Sequence, residues 1–333
     1  MKLPYLIVVI IFAFGSINCH AQTKKKMEKN NPLLCNPDSG ICEIPVKGHT
    51  ITESSNIKSE KKLIKVIYYT DPICSSCWGI EPQLRKLKLE YGNIIEIEYR
   101  MGGLLPDWSY NSGGISKPSD VAHHWDEVSV YYDMPIDGDV WLEDPLQSSY
   151  PPSIAVKAAQ MQDHEKAILF LREIREMVFL KKRNITKWEN LESAAKSVGL
   201  NLNKFKEDYD GRAKELFNED LALGKQLGVR CFPTMFFTDT LGRTETVFGS
   251  KPYDAFESTI IKLLHDVQKS NYDKSTAAVF SHYQSLTAKE FSVLTGTARQ
   301  QSEQVLTDLV ANGKLEKLTT KNGSIWKLKN AEQ

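Results

Sequence analysis

The middle of the chain alternates between short apolar runs and longer amphipathic stretches, a pattern that predicts a mixed α/β fold. A run rich in β-branched and aromatic residues, 63–69, indicates a buried strand that ends at Asp71-Pro72. Apolar residues at helical spacing continue from Ser75 to Tyr91, and a second strand is predicted over 94–99.

The pattern between residues 115 and 227 is mostly helical, with a capping box predicted at Thr186 and one continuous helix over 203–227. Strand signals then return as a predicted hairpin, 235–238 with 244–248. An amphipathic helix over 251–267 follows it. A helical block therefore interrupts the strand pattern.

Cys74 and Cys77 lie where the first strand ends and the helix begins. The first turn of a helix has unpaired N–H groups and the positive end of the helix dipole, which stabilise a thiolate. We expect Cys74 to be the exposed, acidic nucleophile and Cys77 to be the resolving thiol. Glu81, one turn further on, is expected on the exposed helix surface. Strand, Cys-x-x-Cys, helix and strand is the thioredoxin-type arrangement.

This cysteine pair has two alternative interpretations. A zinc site could combine Cys74 and Cys77 with Cys35 and Cys42, but zinc knuckles normally lie on Gly-rich turns and not at the start of an amphipathic helix. A structural disulfide would close too small a loop to stabilise the fold much. No metal or other cofactor is predicted.

The overall charge of the chain gives no reason to expect a strongly charged binding partner. Lysine plus arginine equals aspartate plus glutamate at 42 each, so no global field favours nucleic acid or an anionic surface.

The N-terminus resembles an export signal. Lys2 precedes an apolar run, 6–14, that is short for a membrane span, and cleavage is predicted after Ala21. Cys19 leaves a lipid anchor as an alternative, although the residues before it match a lipobox poorly. Either form predicts an exported protein of the periplasm or cell envelope, where disulfides persist.

Cys35 and Cys42 flank a segment rich in turn-forming residues, Pro37, Asp38 and Gly40. The chain should therefore fold back and bring the two cysteines together. A local disulfide and a redox pair that exchanges with Cys74 and Cys77 both remain open, as do metal binding and free thiols.

Several motifs now make the chain similar to the DsbA family, closest to the branch that includes FrnE-type dithiol oxidoreductases and the SpxH (YjbH) adaptors. The resemblance covers about residues 62–268 and rests on the following segments: Asp71-Pro72 with Cys74, Cys77 and Trp78; Glu81-Pro82; His124-Trp125; Pro135 with Asp137-Gly138; 150–153; and Phe232-Pro233-Thr234.

The resemblance implies that Pro233 is cis and faces the cysteine pair, and that Phe232, Pro233 and Thr234 bind a peptide substrate through the Phe232 backbone. Cys231 stands where family members usually carry a small residue. It is either a buried inert side chain or a third thiol near Cys74.

The C-terminal residues lie outside the resemblance. A capping box at 287–290, two helices (290–295 and 298–312) and a hairpin about Asn322-Gly323 are similar to a small winged helix. Such modules often bind DNA through the second helix, which carries Arg299, Gln300, Gln301 and Gln304 here. Few basic residues line that helix, so no nucleic acid is expected.

We therefore expect a thioredoxin-like fold with an inserted helical domain and a winged-helix-like C-terminal domain. The predicted function is thiol–disulfide exchange with protein or peptide thiols and disulfides, together with an unidentified redox partner. The alternative is a non-enzymatic adaptor of the SpxH kind. The predicted divisions are a signal (1–21), an arm (22–61), a thioredoxin-like part (62–114), a helical insertion (115–227), a second thioredoxin-like part (228–268), a linker (269–278) and a winged-helix-like domain (279–333).

Overall fold

The computed structural model describes residues 35–36, 41–43, 62–109 and 116–329. The predicted signal over 1–21, including Cys19, lies outside these residues, as does most of the predicted arm over 22–61. For residues 35–36 and 41–43 the backbone is described and the side chains are not.

The central sheet has four strands in the order β4-β3-β6-β7 within the described residues. β3 pairs with β4 in parallel and with β6 in antiparallel, so it is covered along both edges, and most of its side chains are buried. This mixed sheet confirms the predicted thioredoxin-like α/β fold. Its strands are β3 (Ile64–Thr70), β4 (Ile95–Met101), β6 (Thr234–Asp239) and β7 (Thr244–Phe248).

The helix predicted from Ser75 to Tyr91 is two helices. α1 (Ser75–Gly79) and α2 (Glu81–Tyr91) meet at Ile80, where φ is −92° and ψ is 0°. Pro82 lies in the first turn of α2 and has no N–H to donate, which favours a new helix start over continuation of α1.

The predicted helical insertion lies between β4 and the short strand β5 (Cys231–Phe232). The continuous helix expected over 203–227 is instead broken at Gly211. The capping box at Thr186 does not form, because Asn184 Oδ1 accepts hydrogen bonds from both N and Oγ1 of Thr186. The helices are α3 (Pro118–Tyr132), α4 (Val140–Glu143), α5 (Tyr150–Gln162), α6 (His164–Leu180), α7 (Trp188–Ser197), α8 (Leu202–Asp210) and α9 (Arg212–Gln226).

A second, small sheet joins the N-terminal segment to the chain beyond the insertion. Its order is β1-β2-β5. The predicted closing helix, α10, follows β7. These elements are β1 (Cys35–Asn36), β2 (Ile41–Glu43), β5 (Cys231–Phe232) and α10 (Tyr253–Leu263).

The C-terminal unit has its own hydrophobic cluster, which includes Phe280, Phe291, Leu306 and Trp326. The predicted capping box forms between Thr287 and Glu290. The first helix, α11, begins inside the predicted linker, because Ser275 caps it. The elements are α11 (Thr276–His282), β8 (Ser285–Thr287), α12 (Ala288–Thr295), α13 (Arg299–Ala311), β9 (Leu315–Thr320) and β10 (Gly323–Leu328), with the sheet order β8-β10-β9.

Buried ion pairs attach this C-terminal unit to the thioredoxin-like body. Glu290 is fully buried and lies 2.8 Å from Nη1 of Arg172 and 3.2 Å from Nη1 of Arg85. Lys327 on β10 lies 2.8 Å from Glu176 on α6. The capping carboxylate of α12 therefore also neutralises two arginines of the body.

Replacing Glu290 tests this attachment. Glu290→Gln should lower the free energy of unfolding by about 3–5 kcal/mol, because it removes the buried carboxylate that Arg172 and Arg85 share. Glu303→Gln, on the exposed face of α13, should change it by about 0.5 kcal/mol or less. Urea unfolding of both variants measures the difference, and equal effects would contradict the attachment.

Glu176 makes the stability depend on acid pH. Burial opposes its ionisation, but Arg172 and Lys327 outweigh burial and lower the pKa of Glu176 from 4.5 to about 2. A lowered carboxyl pKa stabilises the fold above the unfolded value, and this contribution is lost as pH falls from about 4.5 towards 2. Urea unfolding across that range should show a loss on the order of 3 kcal/mol that is much smaller in Glu176→Gln. Equal slopes in both proteins would contradict the assignment.

Candidate functional site

Cys74 caps the N-terminus of α1, as the sequence predicted. Its backbone is extended, and its Sγ accepts a hydrogen bond from the Cys77 N–H at 3.1 Å. The strand β3 and the turn at Asp71-Pro72 thus bring both sulfur atoms to one end of the central sheet.

Both cysteines are completely buried, contrary to the expectation of an exposed Cys74. Tyr132, from α3 of the insertion, contacts the helix that carries Cys77: its hydroxyl is 2.7 Å from Ser76 Oγ. Its ring packs on Gly79, where an added Cβ would lie 2.5 Å from Tyr132 Cγ. The insertion therefore packs against the side of α1 that carries Ser76 and Gly79.

A buried arginine lies beneath the pair. Arg175 on α6 donates to Glu81 Oε1 at 2.6 Å, to Thr70 Oγ1 at 2.5 Å and to the Asp71 carbonyl at 3.2 Å. Glu81 is buried in this contact, which corrects the expectation of an exposed helix glutamate. Sequence reasoning missed Arg175, because a charged residue on an amphipathic helix gives no local sign that it faces inward.

This environment reverses the expected acidity of the two thiols. Burial raises the pKa of Cys74. A hydrogen bond with the Cys77 side chain and the charge of Cys77 raise it further. Burial also opposes ionisation of Cys77, but a hydrogen bond with Cys74 and the charge of Arg175 outweigh it and lower the pKa of Cys77. The helix N-terminus does not offset full desolvation at Cys74.

Asp71 is a second residue whose role sequence reasoning missed. Its carboxylate accepts hydrogen bonds from the N–H groups of Ile73 and Leu104 and from Ser149 Oγ. Burial is the largest influence and raises the pKa of Asp71 to about 6. The residue fixes the loop before Cys74 against the loop after β4, a role that the strand-ending motif did not reveal.

The segment Phe232-Pro233-Thr234 lies at the same end of the sheet. The Phe232–Pro233 peptide is cis, as the resemblance implied. Thr234 pairs with Tyr69, so Pro233 lies beside the end of β3. The chain reaches Cys74 shortly after that end of the strand. Phe232 is completely buried against Gly102, which has no side chain to obstruct the ring. Cys231 is also buried, and its Sγ lies 3.8 Å from Thr234 Oγ1.

The N-terminal hairpin reaches this place. Cys35 pairs with Cys42 across β1 and β2, which confirms that the turn brings their backbones together. On its other side β2 pairs with β5, where Cys42 faces Phe232 and Glu43 faces Cys231. The structure thus gathers the backbones of five cysteines at one end of the fold.

Two further features concern the described residues alone. They contain no group of three or more His, Cys, Asp or Glu residues arranged to hold a metal ion. None of the helices in this part of the chain is both long and apolar enough to cross a membrane.

Comparison with known proteins identifies the family. A family profile described as Thioredoxin matches residues 68–258. The ClpXP adapter protein SpxH of Halalkalibacterium halodurans is 33% identical over 304 residues, which cover 89% of this chain and 97% of that protein. The chain belongs to the SpxH family of thioredoxin-like proteins. The SpxH of Bacillus subtilis is 28% identical over 272 residues, 80% of this chain and 90% of its own length.

A solved structure supports the fold of this SpxH relative. A candidate protein disulfide isomerase from Nitrosomonas europaea superposes with a TM-score of 0.54 at 20% identity, covering 61% of this chain and 98% of the other. That likeness concerns the fold and not the activity.

The family membership corrects two predictions. The prediction of a thiol–disulfide oxidoreductase enzyme is wrong, because the SpxH relatives that match most of the chain are named ClpXP adapters. The prediction of generic protein or peptide thiols and disulfides as partners is wrong for the same reason. A Cys-x-x-Cys at a helix start identified the fold correctly but did not establish catalysis.

Alkylation tests whether the site is closed. Tyr132→Ala should speed the reaction of Cys77 with iodoacetamide by about tenfold or more, since it removes the ring that covers α1. Tyr131→Ala, an exposed neighbour on the same helix, is the control and should leave the rate unchanged. Peptide mass spectrometry measures both, and rapid labelling in the unmodified chain would show that the site is open.

Proposed function

We propose that this SpxH-family chain is a protein-binding adapter that brings a client protein to a ClpXP-type protease and does not turn over disulfides. The observation that carries the proposal is the extent of the match. Similarity to the named ClpXP adapters spans 89% of the chain, well beyond the matched thioredoxin residues 68–258. The likeness therefore includes more than the thioredoxin-like body.

The closed cysteine site supports this proposal. Disulfide exchange requires a thiolate to reach the sulfur of its substrate. Here both sulfur atoms are buried, Tyr132 covers α1, and the pKa of Cys74 is raised. The thiol roles predicted for Cys74, Cys77, Cys35, Cys42 and Cys231 remain predictions.

The C-terminal unit is proposed to be a winged-helix-like module that contacts protein. Arg299 of α13 already donates hydrogen bonds to Asp133 at 2.9 Å and to Glu303 at 3.1 Å. The turn of the β9–β10 hairpin is held against the insertion, because Asn322 donates to Asp126 and to the Ile136 carbonyl. These contacts occupy the groups through which such a module would bind DNA.

The export predicted from residues 1–21 remains a prediction, and it bears on the partner. A ClpXP-type partner and its adapter must occupy the same compartment. Export and a ClpXP-type partner in the cytosol are therefore opposed predictions, and cell fractionation with an antibody to the C-terminal unit separates them. The adapter function requires the unprocessed chain in the cytosol. A processed chain recovered outside the cytosol would contradict a ClpXP-type partner.

Direct binding tests the adapter function. The full-length chain should form a complex with purified ClpX, with a dissociation constant in about the micromolar range or below, as expected for a transient but specific interface. The double variant Cys74→Ser/Cys77→Ser should bind within about twofold of the unmodified chain, because the buried sulfur atoms do not reach a partner. Isothermal titration calorimetry measures both constants. Absence of a complex, or its loss in the serine variant, would contradict the proposal.

A further inference from the structure

The strand β9 forms an open edge of the C-terminal sheet. The sheet order is β8-β10-β9, and β10 pairs with β9 along its whole length, from Leu315 opposite Leu328 to Thr320 opposite Gly323. Within the part of the chain that the structure describes, no strand pairs with the other side of β9. The backbone N–H and C=O groups on that side are therefore available to a strand from another molecule.

The side chains of β9 do not protect this edge. Natural proteins often block an open edge with a lysine side chain. Lys317 in the middle of β9 is used differently, because its Nζ lies over the ring of Trp326 on β10, 5.1 Å from the ring centre. The next residue, Leu318, is 38% exposed. The edge thus presents an apolar side chain at its middle.

An open edge strand can pair with the same strand of a second copy of the chain. A two-fold axis brings identical surfaces together, so the contact closes on itself as a dimer. The chain has no net charge at pH 7, so two copies do not repel each other overall. Opposite residues of an antiparallel pair point to the same face of the sheet, so the axis must pass through a residue position of β9.

Like charges disfavour most positions of this axis. An axis at Glu316 places two glutamates opposite each other, and an axis at Lys317 does the same with two lysines. An axis at Thr319 places Lys317 opposite Lys321 of the second copy. Like charges directly opposite each other destabilise a pair of strands. An axis at either end of β9 leaves most of the strand unpaired.

An axis at Leu318 avoids all of these contacts. The two copies of Leu318 then lie opposite each other, Lys317 faces Thr319, and Glu316 faces Thr320. Opposite side chains have Cβ atoms about 4.5–5.5 Å apart, so the two leucines can pack together. The ladder of this register contains residues 316–320, and each of them is at least partly exposed in the single chain.

We infer that the chain forms a homodimer through β9, with Leu318 on the two-fold axis. The two C-terminal sheets join into one continuous sheet in the order β8-β10-β9-β9-β10-β8. The dimer does not depend on the adapter function. Each dimer would present two thioredoxin-like bodies, one from each copy.

Sedimentation velocity of the full-length chain tests the dimer. Between about 1 and 200 µM the sedimenting mass should rise from one chain towards two, because a small interface binds in about the micromolar range. Leu318→Lys should raise the dissociation constant about tenfold or more, since it removes the apolar contact and places two positive charges on the axis. Leu241→Lys is the matched control and should leave the constant unchanged, because Leu241 is 78% exposed in the turn after β6.

A monomer over this whole range would overturn the inference and leave the edge to some other extended segment. Equal dissociation constants for Leu318→Lys and the unmodified chain would also overturn it, because the dimer would then form through another surface.

A cross-link tests the position of the axis. Leu318→Cys places two thiols opposite each other, within the distance that a disulfide requires. Glutathione disulfide oxidises them: the two thiols lose two protons and two electrons, and the oxidant becomes two molecules of glutathione. Thr319→Cys is the control, because its two copies lie diagonally, about 7–8 Å apart, and should not form the bond.

Non-reducing electrophoresis measures the covalent dimer, and the unmodified chain gives the background from the native cysteines. Most of the Leu318→Cys protein should become a covalent dimer, and Thr319→Cys should stay at the background. Equal yields from the two variants, or no covalent dimer from Leu318→Cys, would overturn the inference.

Discussion

The arrangement of the whole molecule depends on the buried guanidinium of Arg175. It ties the end of β3 to α2 through Thr70 and Glu81, directly beneath the two cysteines. Glu81 in turn lies 3.8 Å from Arg85, which also contacts Glu290 of the C-terminal unit. Removing one partner of a buried ion pair lowers the folding stability by about 3–5 kcal/mol. Each charged side chain in this series is therefore stabilised by its neighbour in the series. The cysteine site and the C-terminal unit are thereby parts of one electrostatic network.

This network also includes the dithiol. Arg175 lowers the pKa of Cys77, so the pair is an element of the buried charge balance as well as a reactive group. Tyr132 contacts the same helix through Ser76 and Gly79. One fold can support more than one function, so the dithiol alone does not assign catalysis.

Features set by local sequence could be predicted, and features set by tertiary packing could not. Four predicted features depend on neighbouring residues, and the structure has all four: the strand predicted over 63–69, the helix start at Cys74, the capping box at Thr287 and the turn that brings Cys35 to Cys42. The burial of Arg175 and Glu81 depends on residues far along the chain. The contact of Tyr132 with α1 also depends on residues far along the chain. The hydrophobic periodicity of the sequence predicts neither feature. The docking of β2 on β5 is a backbone contact that side-chain patterns do not encode.

The central claim is that the chain keeps a thioredoxin-like dithiol without turning over external disulfides, and insulin reduction tests it most directly. The full-length chain is mixed with insulin and glutathione, and the rate of insulin precipitation is followed at increasing protein concentration. The account predicts a rate no higher than with glutathione alone, and the same rate with Cys74→Ser. A rate that rises in proportion to the protein and is abolished by Cys74→Ser would contradict it.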